Sequence, residues 1–333
     1  MAERTRVTLA HVAAASGVSV TTASLVLTGR ARELRISEAA EQRVRSTAHE
    51  LGYRRGGGDT RAGLSRTIGF VLGAEPDLEG DTVKGAVEVA YRRGFMLFVG
   101  ETGGDPAVER GLVEALRDRR ADGVVFAGGR PATGGRPDVL WYGPAVVLGA
   151  PGSGLPSVVP DEVRGGRSAA RVLVEAGHDR GVHLVGAGRR DAADRLAGLR
   201  QVFSGAGVEV AGVHPCPEWT PERGYDVTKD LLRRHRPAAL VCFDDRLAFG
   251  AYEALAEAGL SVPGDVSVLG FGDHPAASWM RPRLTTVALP LRELGERAVE
   301  VLVELVEGRG SRTPLVHRVP MPVRGGGSVA RAR

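Results

Sequence analysis

The sequence is poor in cysteine, in lysine and in long apolar runs. Its 333 residues contain only Cys216 and Cys242, too few for a disulfide framework, so we expect a reducing compartment, the cytoplasm. Lysine occurs only at Lys84 and Lys229, which we attribute to genomic composition because the other basic residues are arginine. No apolar run approaches the roughly 20 residues that cross a bilayer, and none follows the N-terminal Met as a secretory signal would. We therefore expect no membrane partner.

Signatures of catalysis and of metal binding are also missing. The eight histidines form no HExxH pair, and the sequence has neither a CxxC pair nor a P-loop. The run Gly186-Ala-Gly188 lacks the third glycine of a dinucleotide fingerprint. Asp244 and Asp245 are adjacent, and sequence neighbours do not usually share a face, so they are poorly arranged for acid–base catalysis. We expect no enzyme activity, no cofactor and no metal site.

Positive charge is concentrated near the N-terminus. Residues 1–66 hold 11 arginines and 6 acidic residues, whereas the remaining 267 residues hold 33 basic and 34 acidic ones. A basic module on a near-neutral partner domain is the charge distribution expected of a protein that binds nucleic-acid phosphates.

Two short helices are predicted in this basic segment. Thr8 can cap a first helix whose apolar positions recur at helical spacing, and Gly17 ends it because glycine adopts positive φ at no steric cost. Ser19 can cap a second helix. Its apolar face is expected to consist of Val18, Ala23, Val26 and Leu27. Two helices joined by a glycine-containing turn are typical of a helix-turn-helix, whose second helix enters the major groove.

A third helix is predicted to complete this unit. Ser37 can cap it, and Val44, Ala48 and Leu51 fall at i, i+4 and i+7, an apolar stripe that could cover the first two helices; Gly52 would end it. The alternative is a small helical cap without a role in DNA binding, and the residues alone leave it open.

The following residues, from 67 onward, alternate short apolar strands with helical segments. Near-continuous apolar strands separated by helices predict parallel sheets covered on both faces, and their number suits two α/β lobes. The predicted strands are Ile68–Leu72, Phe95–Val99, Gly123–Phe126, Ala145–Leu148, Val182–Val185, Ala239–Cys242 and Val266–Leu269, with helices near 82–93 and 106–120.

Many runs, in the right order, resemble the LacI (lac repressor) family and the periplasmic sugar-binding proteins that share its effector-domain fold. The headpiece runs are Val7-Thr8-Leu9, Gly17-Val18-Ser19, Thr22-Ala23-Ser24, Val26-Leu27-Thr28-Gly29 and Leu51-Gly52-Tyr53-Arg54. Runs of the large domain include Glu175-Ala-Gly177-His178, Arg195-Leu-Ala-Gly198, Asp245-Arg-Leu-Ala248 and Leu284-Thr285-Thr286-Val287.

The resemblance implies the domain organisation. We expect an all-α helix-turn-helix headpiece at 1–55, a Gly-rich hinge at 56–66, and an α/β effector-binding and dimerisation domain of two parallel-sheet lobes at 67–333. Lobe 1 is expected at 67–159 and 288–318, and lobe 2 at 160–287 and 319–327. The chain of this family crosses three times between the lobes, and a ligand binds in the cleft.

The resemblance also implies the DNA contacts. Val20, Thr21 and Leu25 match the base-reading positions, but the family usually has arginine at the last of them. Leucine offers only apolar contact, for example to a thymine methyl group, whereas arginine suits guanine. The full set of expected DNA contacts is Thr8, Ser19, Val20, Thr21, Thr22, Ser24, Leu25, Thr28, Arg54 and Leu64.

The hinge can be interpreted in two ways. A hinge helix over Gly56–Gly58 is disfavoured because each interior glycine costs about 1 kcal/mol relative to alanine. A shorter helix at 60–65 would place Leu64 as a wedge in the minor groove. Alternatively the segment is a flexible tether whose Arg54, Arg55 and Arg61 touch phosphates.

Effector contacts follow from the resemblance in the same way. Arg195 matches a ligand-clamping arginine and Trp219 a stacking aromatic; the alternatives are a surface ion pair and a core or hinge aromatic. Two carboxylate positions of the family are Gly149 and Gly272 here, which weakens the case for a simple sugar. The full set of expected effector contacts is Asp77, Asp161, Arg195, Trp219, Asp244 and Asp273.

The sequence therefore predicts a cytoplasmic, nucleoid-associated transcriptional regulator, more specifically a repressor. We expect it to act as a homodimer on double-stranded operator DNA, with a small-molecule effector such as a sugar or related metabolite. The alternatives are a solute-binding module without regulatory DNA contact and an enzyme built on the α/β lobes.

Overall fold

The N-terminal unit of the computed structural model consists of three helices, α1 (Leu9–Ser16), α2 (Val20–Leu27) and α3 (Glu38–Glu50). The structure describes residues 7–27, 31, 36–51, 64–74, 80–128, 141, 143–151, 154–188, 192–310 and 315–332.

The predicted helix caps are confirmed. The Thr8 hydroxyl accepts a hydrogen bond from the backbone N–H of His11 at 3.3 Å, and Gly17 ends α1 with φ at 67°. Ser19 accepts from the N–H of Thr22 at 3.0 Å. At α3, the Ser37 hydroxyl accepts from the N–H of Ala40 at 3.3 Å. Each cap satisfies a backbone donor that the first helical turn leaves without a partner.

One apolar cluster joins the three helices. Its buried members are Val12, Ala13, Ala23, Val26, Leu27, Ala31, Val44 and Ala48, with Val18 packed at its margin. The prediction for Leu51 was wrong: its side chain is 38% exposed. Leu51 directly follows the last residue of α3, and its N–H still donates to the carbonyl of Thr47 at 3.0 Å, but its side chain lies outside the apolar cluster. The predicted stop at Gly52 lies outside the described residues.

Two sheets form the rest of the chain, and within the described residues each has six strands. The first sheet contains β1 (Thr67–Leu72), β2 (Met96–Glu101), β3 (Gly123–Ala127), β4 (Ala145–Leu148), β5 (Ser157–Pro160) and β11 (Val316–Val319). The second contains β6 (Val182–Val185), β7 (Val210–His214), β8 (Ala239–Cys242), β9 (Ser267–Gly272), β10 (Thr285–Ala288) and β12 (Val323–Arg324).

The strand orders are β11-β5-β4-β3-β1-β2 and β12-β10-β9-β8-β6-β7. Every pairing is parallel except that between β10 and β12, so both sheets are dominated by parallel strands, as expected. The chain passes from the first sheet to the second after β5, returns after β10, and passes again between β11 and β12. Three connections therefore join two lobes. We call them lobe 1 and lobe 2 after the first and second sheet.

Helices cover both faces of each sheet. They are α4 (Asp81–Arg92), α5 (Pro106–Asp118), α6 (Glu162–Glu175), α7 (Ala193–Ala206), α8 (Pro221–Arg234), α9 (Asp245–Glu257) and α10 (Leu291–Val306). Strand β1 shows how burial is divided: Ile68 and Phe70 pack with α4 and α10, whereas Val71 packs with α5. Alternate residues of a strand point to opposite faces, so a central strand must be apolar throughout.

The edge strand β2 departs from the predicted full coverage. Met96 is 62% exposed and Phe98 43% exposed, although both lie in a strand predicted to be buried. An edge strand has one strand neighbour fewer, so less of its surface is covered.

No single described helix is long and apolar enough to cross a membrane. The pair α1 and α2, which meet at 104°, would meet the length and composition requirement only if counted together.

Candidate DNA interface and ligand cleft

One face of helix α2 packs against the other headpiece helices, and the opposite face is exposed to solvent. Ala23, Val26 and Leu27 are buried in the headpiece cluster. At the N-terminal end of the same helix, Val20 is 49% exposed and Thr21 is also exposed. Two predicted base-reading residues therefore lie on the free surface of the first turn, the part of a recognition helix that reaches base edges.

The predicted phosphate-binding hydroxyls already take part in helix capping. Ser19 Oγ lies 2.8 Å from Thr22 Oγ1 and accepts from the backbone N–H of Thr22. Because one of the two hydroxyls must donate to the other, at most one O–H of this pair is available to a phosphate. Ser24 and Leu25, further along α2, are half-buried.

Three of the predicted contacts lie outside the described residues: Thr28 and Arg54 for DNA, and Asp77 for the effector. The predicted wedge, Leu64, is described and is 42% exposed. It lies three residues before β1, where the chain enters lobe 1.

The predicted ligand clamp, Arg195, is a buried side chain on α7. Its Nε and Nη2 atoms donate to the two carboxylate oxygens of Glu162, both at 2.8 Å, and its Nη1 donates to the carbonyl of Phe243. The alternative of a surface ion pair is wrong because the side chain is only 8% exposed. These contacts use three of the five guanidinium N–H groups, so at most two are left for a ligand.

Two aromatic rings flank this guanidinium. Its Cζ atom lies 4.4 Å from the ring centroid of Phe271 and 5.7 Å from that of Trp219. Trp219 donates its indole N–H to the carbonyl of Gly186 at 3.1 Å and packs, half-buried, against the apolar clusters on both faces of the second sheet. Trp219 thus contributes to the core, and its effector contact stays a prediction.

Asp161 and Asp244 both cap helices. Asp161 accepts from the backbone N–H of Arg164 at the start of α6, at 3.1 Å. Asp244 accepts from the N–H of Arg246 at the start of α9, at 2.8 Å, and its carboxylate also pairs with the Arg246 guanidinium at 2.8 Å. Their carboxylates are therefore committed to local structure at the carboxyl ends of β5 and β8.

Asp245 is the polar group that the sequence reasoning missed. It is fully buried at the first turn of α9, where it accepts from Thr286 Oγ1 at 2.7 Å and from the backbone N–H of His274 at 2.8 Å. Burial raises the pKa of its carboxyl group to about 6, although both hydrogen bonds act in the opposite direction. The sequence signals were its place next to Asp244 and at the start of the run Asp245-Arg-Leu-Ala248, and neither indicated a buried carboxyl group.

Asp273 lies beside this group in a left-handed conformation, with φ at 61°. Its carboxylate accepts from the Nε of Arg324 on β12 at 3.3 Å. Its predecessor Gly272 has φ at 134°, a value that other residues rarely adopt, and Gly149 has φ at 98°. A carboxylate side chain at either glycine position would therefore be strained in this backbone.

The side chains around Arg195 are hydrogen-bonding and aromatic groups. Within the described ranges, no group of three or more His, Cys, Asp or Glu side chains is arranged to hold a metal ion. Glu162 and Phe271, which the sequence reasoning did not select, hold Arg195 in place. The site thus combines a fixed cation, aromatic faces and carboxylates at the ends of parallel strands, where ligands of open α/β sheets bind.

Comparison with known proteins identifies both parts of the chain. The model of bacterial regulatory proteins of the lacI family matches residues 8–56, and that of a periplasmic binding protein-like domain matches residues 170–329. The chain is 31% identical over 302 residues to the HTH-type transcriptional regulator DegA of Bacillus subtilis, covering 87% of this chain and 88% of DegA. It is 30% identical over 309 residues to the ribose operon repressor of Escherichia coli, covering 90% and 93%. The chain belongs to the LacI family.

Solved structures agree with the LacI-family fold. The lac repressor dimer bound to operator and the anti-inducer ONPF superimposes with a TM-score of 0.68 at 23% identity, covering 98% of this chain and 99% of that one. The complex of the transcriptional regulator CelR with cellobiose gives a TM-score of 0.66 at 26% identity, covering 97% and 100%. The predicted architecture, a helix-turn-helix headpiece followed by an α/β domain dominated by parallel sheets, is confirmed, and so is the assignment as a DNA-binding transcriptional regulator.

Proposed function

We propose that this LacI-family regulator is a homodimeric repressor that binds a near-palindromic operator in the cytoplasm and responds to a small-molecule effector held between its lobes. The observation that carries the proposal is the exposed first turn of α2, held by a capped and packed three-helix headpiece. Protein two-fold symmetry would match the symmetry of the operator.

The proposed DNA contacts divide by chemistry. Val20, Thr21 and Leu25 meet base edges, and the hydroxyl groups and Arg54 meet phosphates. The complete set is Thr8, Ser19, Val20, Thr21, Thr22, Ser24, Leu25, Thr28, Arg54 and Leu64. The mixed methyl and hydroxyl surface of Val20 and Thr21 supports an operator read partly through thymine methyl groups.

The proposed effector is a small polar metabolite, of which a sugar is one example. Among the relatives, one is named a ribose operon repressor and CelR was solved with cellobiose. The proposed contacts are Asp77, Asp161, Arg195, Trp219, Asp244 and Asp273. Because Gly149 and Gly272 remove two carboxylate acceptors, a ligand with fewer vicinal hydroxyl groups is favoured over a simple sugar.

The proposed mechanism is a shift between two lobe arrangements. Effector binding favours one arrangement, which changes the spacing of the headpieces and so the operator affinity. The coupling can be no larger than the difference in effector affinity between the two arrangements.

Removing residues 1–66 tests whether DNA binding and effector binding belong to separate parts of the chain. The full chain should select a sequence from a pool of random duplexes, and residues 67–333 should not. Both forms should gain thermal stability from the same compound in a screen of sugars, nucleosides and small acids, since the ligand binds only the folded state. A solute-binding module without regulatory function would show the ligand effect and no sequence selection by the full chain, which would overturn the proposal.

A further inference from the structure

The edge of lobe 1 where the linker enters is strongly basic. The strands of the first sheet are parallel, so all of them begin at one edge. The segments 64–67, 92–95, 117–122 and 307–310, at this edge, contain seven arginines and three acidic residues. This excess stands out because residues 67–333 as a whole carry one more acidic than basic residue.

Two of these segments contact the end of the linker directly. In the sheet, β2 and β3 lie on either side of β1. On one side, Arg66 donates from Nη1 to the carbonyl of Arg93 at 3.2 Å. On the other side, the carboxylate of Asp122 accepts from the backbone N–H of Ser65 at 3.1 Å and from that of Thr67 at 3.3 Å. The basic segments therefore flank the point from which the chain leads to the headpiece.

Four arginines at this edge lack a carboxylate partner among the described residues. We call Arg92, Arg93, Arg119 and Arg120 the linker-edge arginines. Arg93 is half-buried and the other three are exposed. None of the four forms a salt bridge with a described carboxylate. Two of the three acidic groups nearby are engaged: Asp122 accepts from the linker backbone, and Glu307 pairs with Arg309. The third, Asp118, is exposed. The pKa of Glu307 is held down mainly by Arg309, with smaller effects from Arg93 and Arg66.

Helix capping alone does not account for this cluster. The linker-edge arginines follow or end α4 and α5, and cations near a helix C-terminus are stabilising. However, the last turns of α6, α7, α9 and α10 contain no basic residue. The helix dipole therefore does not place a basic residue at every helix end, although α8 also ends with two arginines. Arg119 donates from Nη1 to the carbonyl of Ala115 at 3.1 Å, so its guanidinium has N–H groups left over. The linker-edge arginines thus offer N–H donors and positive charge to a partner of opposite charge.

We propose that the linker-edge arginines bind phosphates of the operator duplex, so that lobe 1 contributes to DNA affinity alongside the headpiece. The inference rests on the proposed function, because the headpiece would bring the duplex to this edge. Guanidinium groups bind phosphate through paired N–H donors. Contacts of this kind carry no base information, so they would add affinity without changing the sequence that α2 reads.

The test compares two fourfold variants of the full chain. One replaces Arg92, Arg93, Arg119 and Arg120 with glutamine; the matched control replaces four exposed lobe 2 arginines, Arg171, Arg200, Arg234 and Arg331, with glutamine. Both remove four positive charges. Affinity for the duplex that the wild-type chain selects from a random pool is measured across a series of salt concentrations.

Each lost phosphate contact should lower the slope of log affinity against log salt by about 0.9. We expect the linker-edge variant to bind at least about tenfold more weakly at low salt, with a smaller slope and an unchanged sequence preference. The control should keep the wild-type slope. A structural role alone would lower the melting temperature and leave the slope unchanged, and that result would overturn the inference, as would equal slopes for the two variants.

Failure of the proposed function would look different. In that case the wild-type chain would select no sequence at all. If the wild-type chain selects an operator and the linker-edge variant binds it equally well, the role of lobe 1 in DNA binding is refuted and the proposed function stands. The linker-edge arginines would then be assigned to an acidic protein partner instead.

Discussion

The guanidinium of Arg195 and the carboxylate of Glu162 form a bidentate ion pair with two 2.8 Å hydrogen bonds. The pair joins α7 to the first residue of α6, just after the chain crosses from the first sheet into lobe 2. With both side chains largely buried, a single replacement leaves the other charge with little compensation. Arg195 therefore has a structural role in lobe 2.

A double-mutant cycle measures this pair. Replacing Arg195 with methionine should lower the free energy of unfolding by about 3 kcal/mol, because the Glu162 charge loses its partner. Adding Glu162→Gln should recover part of that loss, with a coupling energy of about 1 kcal/mol or more in urea unfolding. Purely additive effects of the two substitutions would contradict the account.

Close packing of α6 against α7 gives a second prediction. A Cβ added at Gly198 would lie 2.1 Å from the carbonyl oxygen of Val163, a backbone atom that cannot turn aside. Gly198→Ala should therefore destabilise the chain by about 1–3 kcal/mol, as overpacking does. Gly205 provides a control in the same helix, since a Cβ there meets nothing within 4 Å.

The control should behave oppositely. Gly205→Ala should leave the stability unchanged or raise it by up to about 1 kcal/mol, because alanine restricts the unfolded chain and favours the helix. Equal effects of the two substitutions on the free energy of unfolding in urea would contradict this prediction, because they would show that α6 and α7 can move apart without loss of stability.

The buried carboxyl group of Asp245 predicts a pH dependence. Its pKa is raised from 3.8 to about 6, so the folded chain holds this proton more tightly than the unfolded chain does. The contribution of Asp245 to stability is therefore fully present below about pH 4 and is lost as the pH rises to about 6. In Asp245→Asn this loss is absent, because an amide does not titrate.

The measurement is the difference in unfolding free energy between wild type and Asp245→Asn from pH 4 to pH 7. The unfolding free energy of the variant, relative to that of the wild type, should increase as the pH rises to about 6 and then level off. The effects of groups that the substitution leaves unchanged cancel in this difference. A difference that does not change with pH would contradict the assignment of the raised pKa to Asp245.

Local patterns predicted most of the regular structure. The caps at Thr8, Ser19 and Ser37 and the buried strand β8 follow from short-range rules, namely which residue satisfies an orphan N–H and which runs are apolar throughout. The edge strand β2 and Leu51 were less predictable, because their exposure depends on which elements lie beside them.

The cleft could not be predicted to the same extent. The roles of Arg195 and Trp219 were inferred from family resemblance. The partners of Arg195, however, are Glu162, Phe243 and Phe271, which come from other parts of lobe 2. Nothing in the spacing of Asp245 indicates that Thr286, 41 residues later, donates to it. Such contacts arise from the order of strands in the sheet, which short sequence patterns do not encode.

The central claim, that α2 reads DNA bases, is tested most directly by selecting duplexes from a random pool with the wild-type chain and with Leu25→Arg. The wild type should enrich a near-palindromic sequence. The variant should enrich guanine at one position in each half-site, because arginine pairs with the O6 and N7 atoms of guanine. No enrichment by the wild type, or the same sequence from both chains, would contradict the claim.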